Sequence, residues 1–304
     1  MKSRNVKSWV EFIKPDHDQT DDYRGRFAPS PTGPLHMGSL VAALASFLDA
    51  KTAGGSWSLR IDDIDPPREA PDAKIQILES LRTHGLHPDG VPIFQSKHAP
   101  AYETAIDTLR QSGLLFACTC TRATLGPGGC CVRQCWLQPE KSSTAAVSLR
   151  IQIPADTVIE FNDLVMGPHR TALDAVQPNF IVKRRDGLYA YQLAAAVDDA
   201  APTISHVIRG SDLLESTPRQ MFLRQMLGLP DPEFGHTPVL RHPDGSKLSK
   251  QTGAPALNNS KALDNIRAAL NALGQPAPSS TCKSVGDAKA WALDHWDRDR
   301  IPTQ

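Results

Sequence analysis

The sequence contains no apolar run of about 18 residues, the length that a membrane-spanning helix needs. Its first 22 residues are polar, include Asp16, Asp18, Asp21 and Asp22, and have no apolar segment of the kind found in secretory signals. A disordered chain is excluded as well, because 40% of the residues are hydrophobic and only 22% are charged. These features favour a soluble protein of the cytoplasm.

The sequence also has no excess of charge of one sign, since 33 lysines and arginines balance 33 aspartates and glutamates. This balance argues against a broad polycationic clamp on nucleic acid, because such binding depends on many phosphate contacts. It remains compatible with a smaller RNA-binding surface. There is no internal repeat, and the length of 304 residues predicts about two domains.

The first part of the chain has the pattern of an α/β fold with a parallel sheet. Helical periodicity ends at glycines, and short apolar runs separate the helices, as expected for strand–helix alternation. The predicted elements are a strand at 23–28, a helix at 38–53, a strand at 57–61, a helix at 73–84, a strand at 92–95 and a helix at 101–112.

This alternation stops at Cys118 and resumes at Phe180, which indicates an insertion that splits one Rossmann-like α/β domain. Further elements are expected at 180–183 (strand), 191–197 (helix), 203–208 (strand), 213–227 (helix), 262–273 (helix) and 288–295 (helix). The predicted divisions are an extension at 1–22, the first half of the domain at 23–100, the insertion at 101–174, the second half at 175–251 and a short helical tail at 252–304.

Five of the six cysteines lie between residues 118 and 135. A cluster of this kind in a chain that does not look secreted indicates a metal site rather than disulfides. Cys118 and Cys120, followed by Cys131 and Cys135, supply four thiolates, enough for a closed tetrahedral zinc site with a structural role. Cys130 is adjacent to Cys131 and is an alternative third ligand.

Two short motifs have the chemistry of phosphate binding. His36, Gly38 and Ser39 stand where the first strand leads into a helix, whose free N–H groups and positive dipole end suit a phosphate. Lys247 and Lys250, three positions apart on a Gly-containing loop, can clamp a polyphosphate as mobile charges. Taken alone, either motif can also be an ordinary exposed turn.

Together these motifs resemble the HIGH and KMSKS motifs of class I aminoacyl-tRNA synthetases. The strings RFAPSPTGPLHMGSL and LRIDDIDPPRE are similar to the glutamyl branch of that class, and YAYQLAAAVDD and VIRGSDLLESTPRQ continue the similarity. Within that branch, CTCTRA, LSKQ and the 53 residues after Gln251 resemble the short paralogs that lack the large anticodon-binding domain.

The resemblance implies that the protein activates L-glutamate with ATP and Mg²⁺ and transfers it to the queuosine base at the wobble position of tRNA(Asp). A ring hydroxyl of the base, and not the 3′ end of the tRNA, would accept the glutamyl group. The resemblance also implies one structural Zn²⁺, and a monomer is the default expectation. The alternatives are a truncated glutamyl-tRNA synthetase, a non-catalytic RNA-binding relic of a synthetase, and a nucleotidylyltransferase.

The resemblance assigns roles to individual residues. Arg26 and Arg209 would bind the substrate carboxylates, and Asp62 would hold the ammonium group where the family commonly has Glu. In the third zinc-ligand position the family commonly has Tyr, and Cys131 stands there. The residues expected to bind glutamate are Arg26, Ala28, Ser30, Asp62, Tyr191 and Arg209; those expected at ATP are His36, Gly38, Ser39 and Lys250, with His36, Lys247 and Lys250 acting in catalysis.

Overall fold

The computed structural model describes residues 23–137, 147–200, 203–240 and 254–303. Its first part is a three-stranded sheet in the order β1-β2-β3, with both strand pairs parallel. Helices follow the first two strands, so the predicted α/β architecture with a parallel sheet is confirmed. The elements are β1 (Arg24–Phe27), α1 (Met37–Thr52), β2 (Ser56–Ile61), α2 (Ala73–Thr83), β3 (Ile93–Phe94) and α3 (Ala99–Gln111).

Helix α1 forms the centre of the first hydrophobic core. Its sequence is rich in Ala and Leu, which have high helix propensity, and Leu40, Leu44 and Leu48 are fully buried. The helix begins after His36 and ends at Thr52, followed by Ala53 and by Gly54, whose φ of +71° is a left-handed conformation that glycine adopts without strain. The N-terminus of α1 is thereby fixed beside the carboxyl end of β1.

The second half of the domain contributes a parallel pair of strands and two helices. These elements are α5 (Tyr191–Asp198), β9 (His206–Gly210), α6 (Thr217–Leu227) and β10 (Glu233–Thr237). The second pair is a separate sheet that lies beside β1, because the Ser205 amide donates to the Arg24 carbonyl at 3.0 Å and the Arg26 side chain donates to the Ile208 carbonyl at 3.5 Å. Strands β1, β2 and β9 therefore end on the same side, where α/β proteins bind ligands.

The insertion contains antiparallel sheets. Strands β4 (Leu115–Cys118), β5 (Ser148–Gln152) and β8 (Asn179–Lys183) pair in that order, and β6 (Val158–Asp163) with β7 (Gly167–Ala172) forms a hairpin that leads into α4 (Leu173–Val176).

The pairing of β8 differs from the expectation that the parallel alternation resumes there. Periodicity identifies a short apolar strand but not its neighbour, and β8 pairs with β5 of the insertion. The predicted end of the insertion at residue 174 stays a prediction. The helix expected over 213–227 is also shorter, because a 3₁₀ segment over Ser211–Ser216 precedes α6.

The tail packs against α1 through α7 (Ala262–Ala272) and α8 (Val285–His295). Its anchor is Asp49 of α1, which accepts hydrogen bonds from Trp296 Nε1 at 3.1 Å and from Arg298 Nε and Nη2 at 2.9 Å each. The hydroxyl of Tyr23 also donates to this buried carboxylate. Among the described helices, none has the length and apolar character needed to cross a membrane.

Candidate active site

A cleft of about 710 Å³ opens where β1 and β2 end. Residues of both halves of the domain line it, which brings together side chains that are far apart in the sequence. Six of the predicted site residues are in its wall, namely Ala28, Ser30, His36, Ser39, Asp62 and Tyr191.

His36 caps the N-terminus of α1. Its Nδ1 accepts a hydrogen bond from the Ser39 amide at 3.3 Å, so the neutral imidazole carries its proton on Nε2. A backbone bridge between His36 and Ala256 joins this turn to the segment that follows the predicted lysine motif. The cleft thus contains an imidazole donor and a helix N-terminus, the two features that the sequence assigned to phosphate binding.

Asp62 follows β2 and is bound by its neighbour Arg60. Arg60 donates from Nε to Oδ1 at 2.7 Å and from Nη2 to Oδ2 at 3.2 Å. Asp62 is 7% exposed, and burial raises the pKa of its carboxyl to about 6, despite the opposing effect of Arg60. Asp62 therefore titrates just below neutral pH and presents a carboxylate to the cleft above that range.

Arg26 is held by a carboxylate of the protein itself. Its Nε and Nη2 donate to the two oxygens of Asp199 at 3.1 and 3.0 Å, and Asp199 also binds Arg60. Burial alone would raise the pKa of Asp199, but these two guanidinium groups hold it well below its usual value. Arg26 does not line the cleft, and its contact with a substrate carboxylate stays a prediction.

Arg209 lies behind the cleft wall and is 4% exposed. It donates to His236 Nε2 at 3.0 Å, to Gln220 Oε1 at 2.9 Å and to Thr217 Oγ1 at 2.9 Å. At 3.5 Å its Nη atoms also face the Tyr191 hydroxyl and the Leu213 carbonyl, both from residues that line the cleft. Its direct hydrogen-bond partners within the described part of the chain are neutral, while the carboxylates of Asp199 and Asp163 act on its charge from a greater distance.

Gly38, like Arg26 and Arg209, is not among the residues of this wall; it lies in the first turn of α1, next to the lining residues. Lys247 and Lys250 fall outside the described residues.

A second cleft of about 1000 Å³ adjoins the first, and the two share lining residues that include Arg184 and Tyr191. It extends towards the cysteine-bearing module, because Cys118 and Cys120 are also in its wall. Arginines outnumber carboxylates in its wall. The carboxylates are Asp65 and Asp186, and the arginines are Arg68, Arg122, Arg150, Arg184, Arg185 and Arg219. This combination of space and positive charge suits an anionic polymer.

The cysteine cluster has the dimensions of a tetrahedral metal site. The sulfurs of Cys118, Cys120, Cys131 and Cys135 lie within 4.8 Å of one another. The Cys120 sulfur is 3.7 Å from that of Cys131 and 3.8 Å from that of Cys135. Zinc–sulfur bonds of about 2.3 Å in tetrahedral geometry set the sulfurs about 3.8 Å apart. The donor set and its spacing therefore fit Zn²⁺.

The turn that contains Cys130 and Cys131 separates these two neighbours. The Cys131 sulfur joins the cluster, whereas the Cys130 sulfur accepts a hydrogen bond from Gln177 Nε2 at 2.8 Å. The Asn179 side chain binds the backbone amide and carbonyl of Cys131, at 2.8 and 3.1 Å, and ties the turn to β8. Of the two candidate third ligands, the geometry favours Cys131.

Sequence reasoning missed Arg60, Asp199 and His236, each of which contacts a predicted site residue. Arg60 and Asp199 stand inside quoted strings of the glutamyl branch, in LRIDDID and YAYQLAAAVDD, so a signal was present. No local sequence pattern marks His236, because its contact with Arg209 arises from the pairing of β10 with β9.

Comparison with known proteins identifies the family to which the chain belongs. Residues 22–127 and 131–273 match the model of the family described as "tRNA synthetases class I (E and Q), catalytic domain". A protein of Pseudomonas aeruginosa named "Glutamyl-Q tRNA(Asp) synthetase" is 45% identical over 285 residues, which cover 93% of this chain and 96% of the relative. A protein of Ectopseudomonas mendocina with the same name is 44% identical over 282 residues, covering 92% and 95%.

Solved structures show the same fold. A glutamate tRNA ligase of Elizabethkingia meningosepticum, crystallised in complex with its amino acid, superposes with a TM-score of 0.78 at 24% identity, over 93% of this chain and 66% of that one. The glutamate-tRNA synthetase of Elizabethkingia anophelis gives a TM-score of 0.79 at 24% identity, over 93% and 67%. The chain therefore has the class I synthetase catalytic fold and belongs to the glutamyl-Q tRNA(Asp) synthetase family of class I aminoacyl-tRNA synthetases, which are ligases.

Proposed function

We propose that this ligase activates L-glutamate with ATP and transfers the glutamyl group to the queuosine base of tRNA(Asp). The observation that carries the proposal is the cleft at the carboxyl ends of the strands. It combines a helix N-terminus with His36 on one side, and Asp62 and Tyr191, with Arg209 behind, on the other.

The amino-acid side of the cleft suits glutamate. Asp62, ionised above about pH 6, offers a carboxylate to the ammonium group. Arg209 offers a buried guanidinium whose direct hydrogen-bond partners in the described residues are neutral, and a substrate carboxylate would form a charge-assisted hydrogen bond with it. The Tyr191 hydroxyl, at 3.5 Å from Arg209, stands between this guanidinium and the cleft. Ala28 and Ser30, in the segment after β1, complete the proposed pocket.

The phosphate side of the cleft suits ATP. We assign the phosphates to the N-terminus of α1, where Gly38 and Ser39 lie in the first turn and His36 donates from Nε2. The substrate carboxylate is the nucleophile: a new bond forms from its oxygen to the α-phosphorus, and the bond to pyrophosphate breaks. Lys247 and Lys250 would stabilise the leaving pyrophosphate. Mg²⁺ would neutralise charge on the ATP phosphates.

The cysteine cluster would hold one Zn²⁺ through Cys118, Cys120, Cys131 and Cys135. Burial raises the pKa of the Cys118 thiol, and a bound dication would favour the thiolate form of this side chain. Four thiolates leave no open coordination position for a substrate, and the role of the metal would be structural.

The arginine-lined second cleft supports an RNA acceptor. It adjoins the proposed glutamate pocket at Tyr191, so a nucleoside bound at the junction would face the activated carboxyl group while its phosphates meet the arginines. The acceptor that we propose, the queuosine of tRNA(Asp), agrees with the name of the similar proteins. A hydroxyl of the base would attack the glutamyl carbonyl and release AMP.

Glutamate-dependent exchange of pyrophosphate into ATP tests the activation step. The purified protein, with and without tRNA, should support exchange with glutamate at a far lower KM than with aspartate or glutamine, because only glutamate places its second carboxylate at Arg209. Exchange with none of these amino acids would contradict the proposed chemistry. A lower KM for aspartate would contradict the assignment of the pocket.

A further inference from the structure

We infer that Asp163 and His236 are positioning residues for Arg209: Asp163 fixes the tautomer of His236, and His236 aligns the guanidinium that receives a substrate carboxylate. This inference rests on the proposed function, because it concerns the same glutamate pocket. It adds two residues that lie outside the cleft wall and that do not touch the substrate.

The three side chains form one buried chain of hydrogen bonds. Asp163 ends β6, and its Oδ2 is 2.5 Å from Nδ1 of His236 on β10. On the other side of the ring, Nε2 of His236 is 3.0 Å from Nε of Arg209. Asp163 and His236 are 2% and 0% exposed. Water therefore cannot replace either partner without a rearrangement of the core.

The chemistry of the partners determines the proton positions. A carboxylate only accepts, so Nδ1 of His236 must carry a proton and donate it to Asp163. A guanidinium only donates, so Nε2 must be the acceptor for Arg209. The neutral tautomer with its proton on Nδ1 satisfies both contacts at once. Burial lowers the pKa of His236, in agreement with a neutral ring.

The second oxygen of Asp163 fixes the orientation of its carboxylate. Oδ1 accepts from the backbone amides of Val165, Met166 and His236 at 3.0, 2.9 and 3.0 Å. In an Asp163→Asn variant these three donors would keep the amide oxygen at the Oδ1 position. The amide nitrogen would then face Nδ1 of His236 and donate to it. The ring would have to move its proton to Nε2, where an N–H would oppose the N–H of Arg209.

Asp163→Asn therefore tests the inference with little change in shape. We expect the KM for glutamate in pyrophosphate exchange to rise about 10- to 100-fold, the range for one charge-assisted hydrogen bond. The KM for ATP and the zinc content should stay near those of the wild-type protein. Glu160→Gln is the matched control, since it removes one carboxylate from the same strand, where Glu160 forms an exposed pair with Arg170.

A pair of substitutions at position 236 gives an independent test. This test remains decisive even when Asp163→Asn does not fold. The amide of Gln reaches the position of Nε2 and can accept from Arg209, whereas the amide of Asn ends at the position of Nδ1 and keeps only the contact with Asp163. We expect His236→Gln to retain most of the glutamate affinity and His236→Asn to lose it.

The possible outcomes separate the inference from the proposed function. If the wild-type protein supports exchange, two results would overturn the inference alone. One is an unaltered KM for glutamate in Asp163→Asn, and the other is an equal loss of glutamate affinity in the two variants at position 236. Equal rises of both KM values in Asp163→Asn would also overturn it, because they indicate a general structural role. Absence of exchange in the unchanged protein would overturn the proposed function and this inference with it.

Discussion

The choice between the adjacent Cys130 and Cys131 gives a sharp prediction about the metal site. Cys131→Ser removes one of the four sulfurs in the cluster, whereas Cys130→Ser changes a sulfur outside the cluster that accepts a hydrogen bond from Gln177. Structural zinc contributes about 10–16 kcal/mol of apparent binding free energy, or about 2.5–4 kcal/mol for each of four thiolates. Loss of one thiolate should therefore weaken zinc binding about 70- to 900-fold.

The assay is competition for zinc with a chromogenic chelator, followed by metal analysis of the dialysed protein. The unchanged protein and Cys130→Ser should retain about one zinc per chain, and Cys131→Ser should release it at a much lower chelator concentration. Cys130→Ser is a matched control, because both residues lie in the same turn and both are buried. Zinc loss in Cys130→Ser with retention in Cys131→Ser would refute the reasoning.

Two further predictions concern the pocket and the tail. Because burial raises the pKa of Asp62 to about 6, the apparent affinity for glutamate should fall as the pH is lowered through that value and the carboxylate is protonated. Asp62→Asn should bind weakly at every pH, and a pH step that persists in this variant would contradict the assignment. In the tail, Arg298→Ala removes two hydrogen bonds to buried Asp49 and should lower the free energy of unfolding by about 1.5–3 kcal/mol. Arg300→Ala, which loses an exposed ion pair, should lower the free energy of unfolding by less than about 1 kcal/mol. Equal effects of the two substitutions in urea denaturation would contradict the role given to the contact of Arg298 with Asp49.

Local patterns were enough to predict the parallel sheet and the place of the cleft. Ala- and Leu-rich periodicity and a glycine stop define α1 within one residue at each end, because these signals depend only on neighbours along the chain. The carboxyl ends of parallel strands then bring His36 and Asp62 into one cleft. Both results follow from the order and spacing of elements.

Contacts between distant residues could not be predicted in this way. The ion pair of Arg26 with Asp199 joins residues 173 positions apart, and it occupies a guanidinium that the sequence assigned to a substrate. The pairing of β8 with β5 and the contact of His236 with Arg209 also depend on how strands meet in space. The third cysteine of the cluster depends on the path of one turn, which spacing alone left open between Cys130 and Cys131.

The most direct test of the proposed function is transfer of labelled glutamate, with ATP, to three RNAs: tRNA(Asp) that contains queuosine, tRNA(Asp) without it, and tRNA(Glu). We predict label only on the queuosine-containing tRNA(Asp). This tRNA should still accept the label when its 3′ end has been oxidised with periodate before the reaction, with the queuosine diol protected during that treatment. Label on tRNA(Glu), or label that depends on an intact 3′ end, would contradict the account and would indicate a shortened enzyme that charges the tRNA terminus.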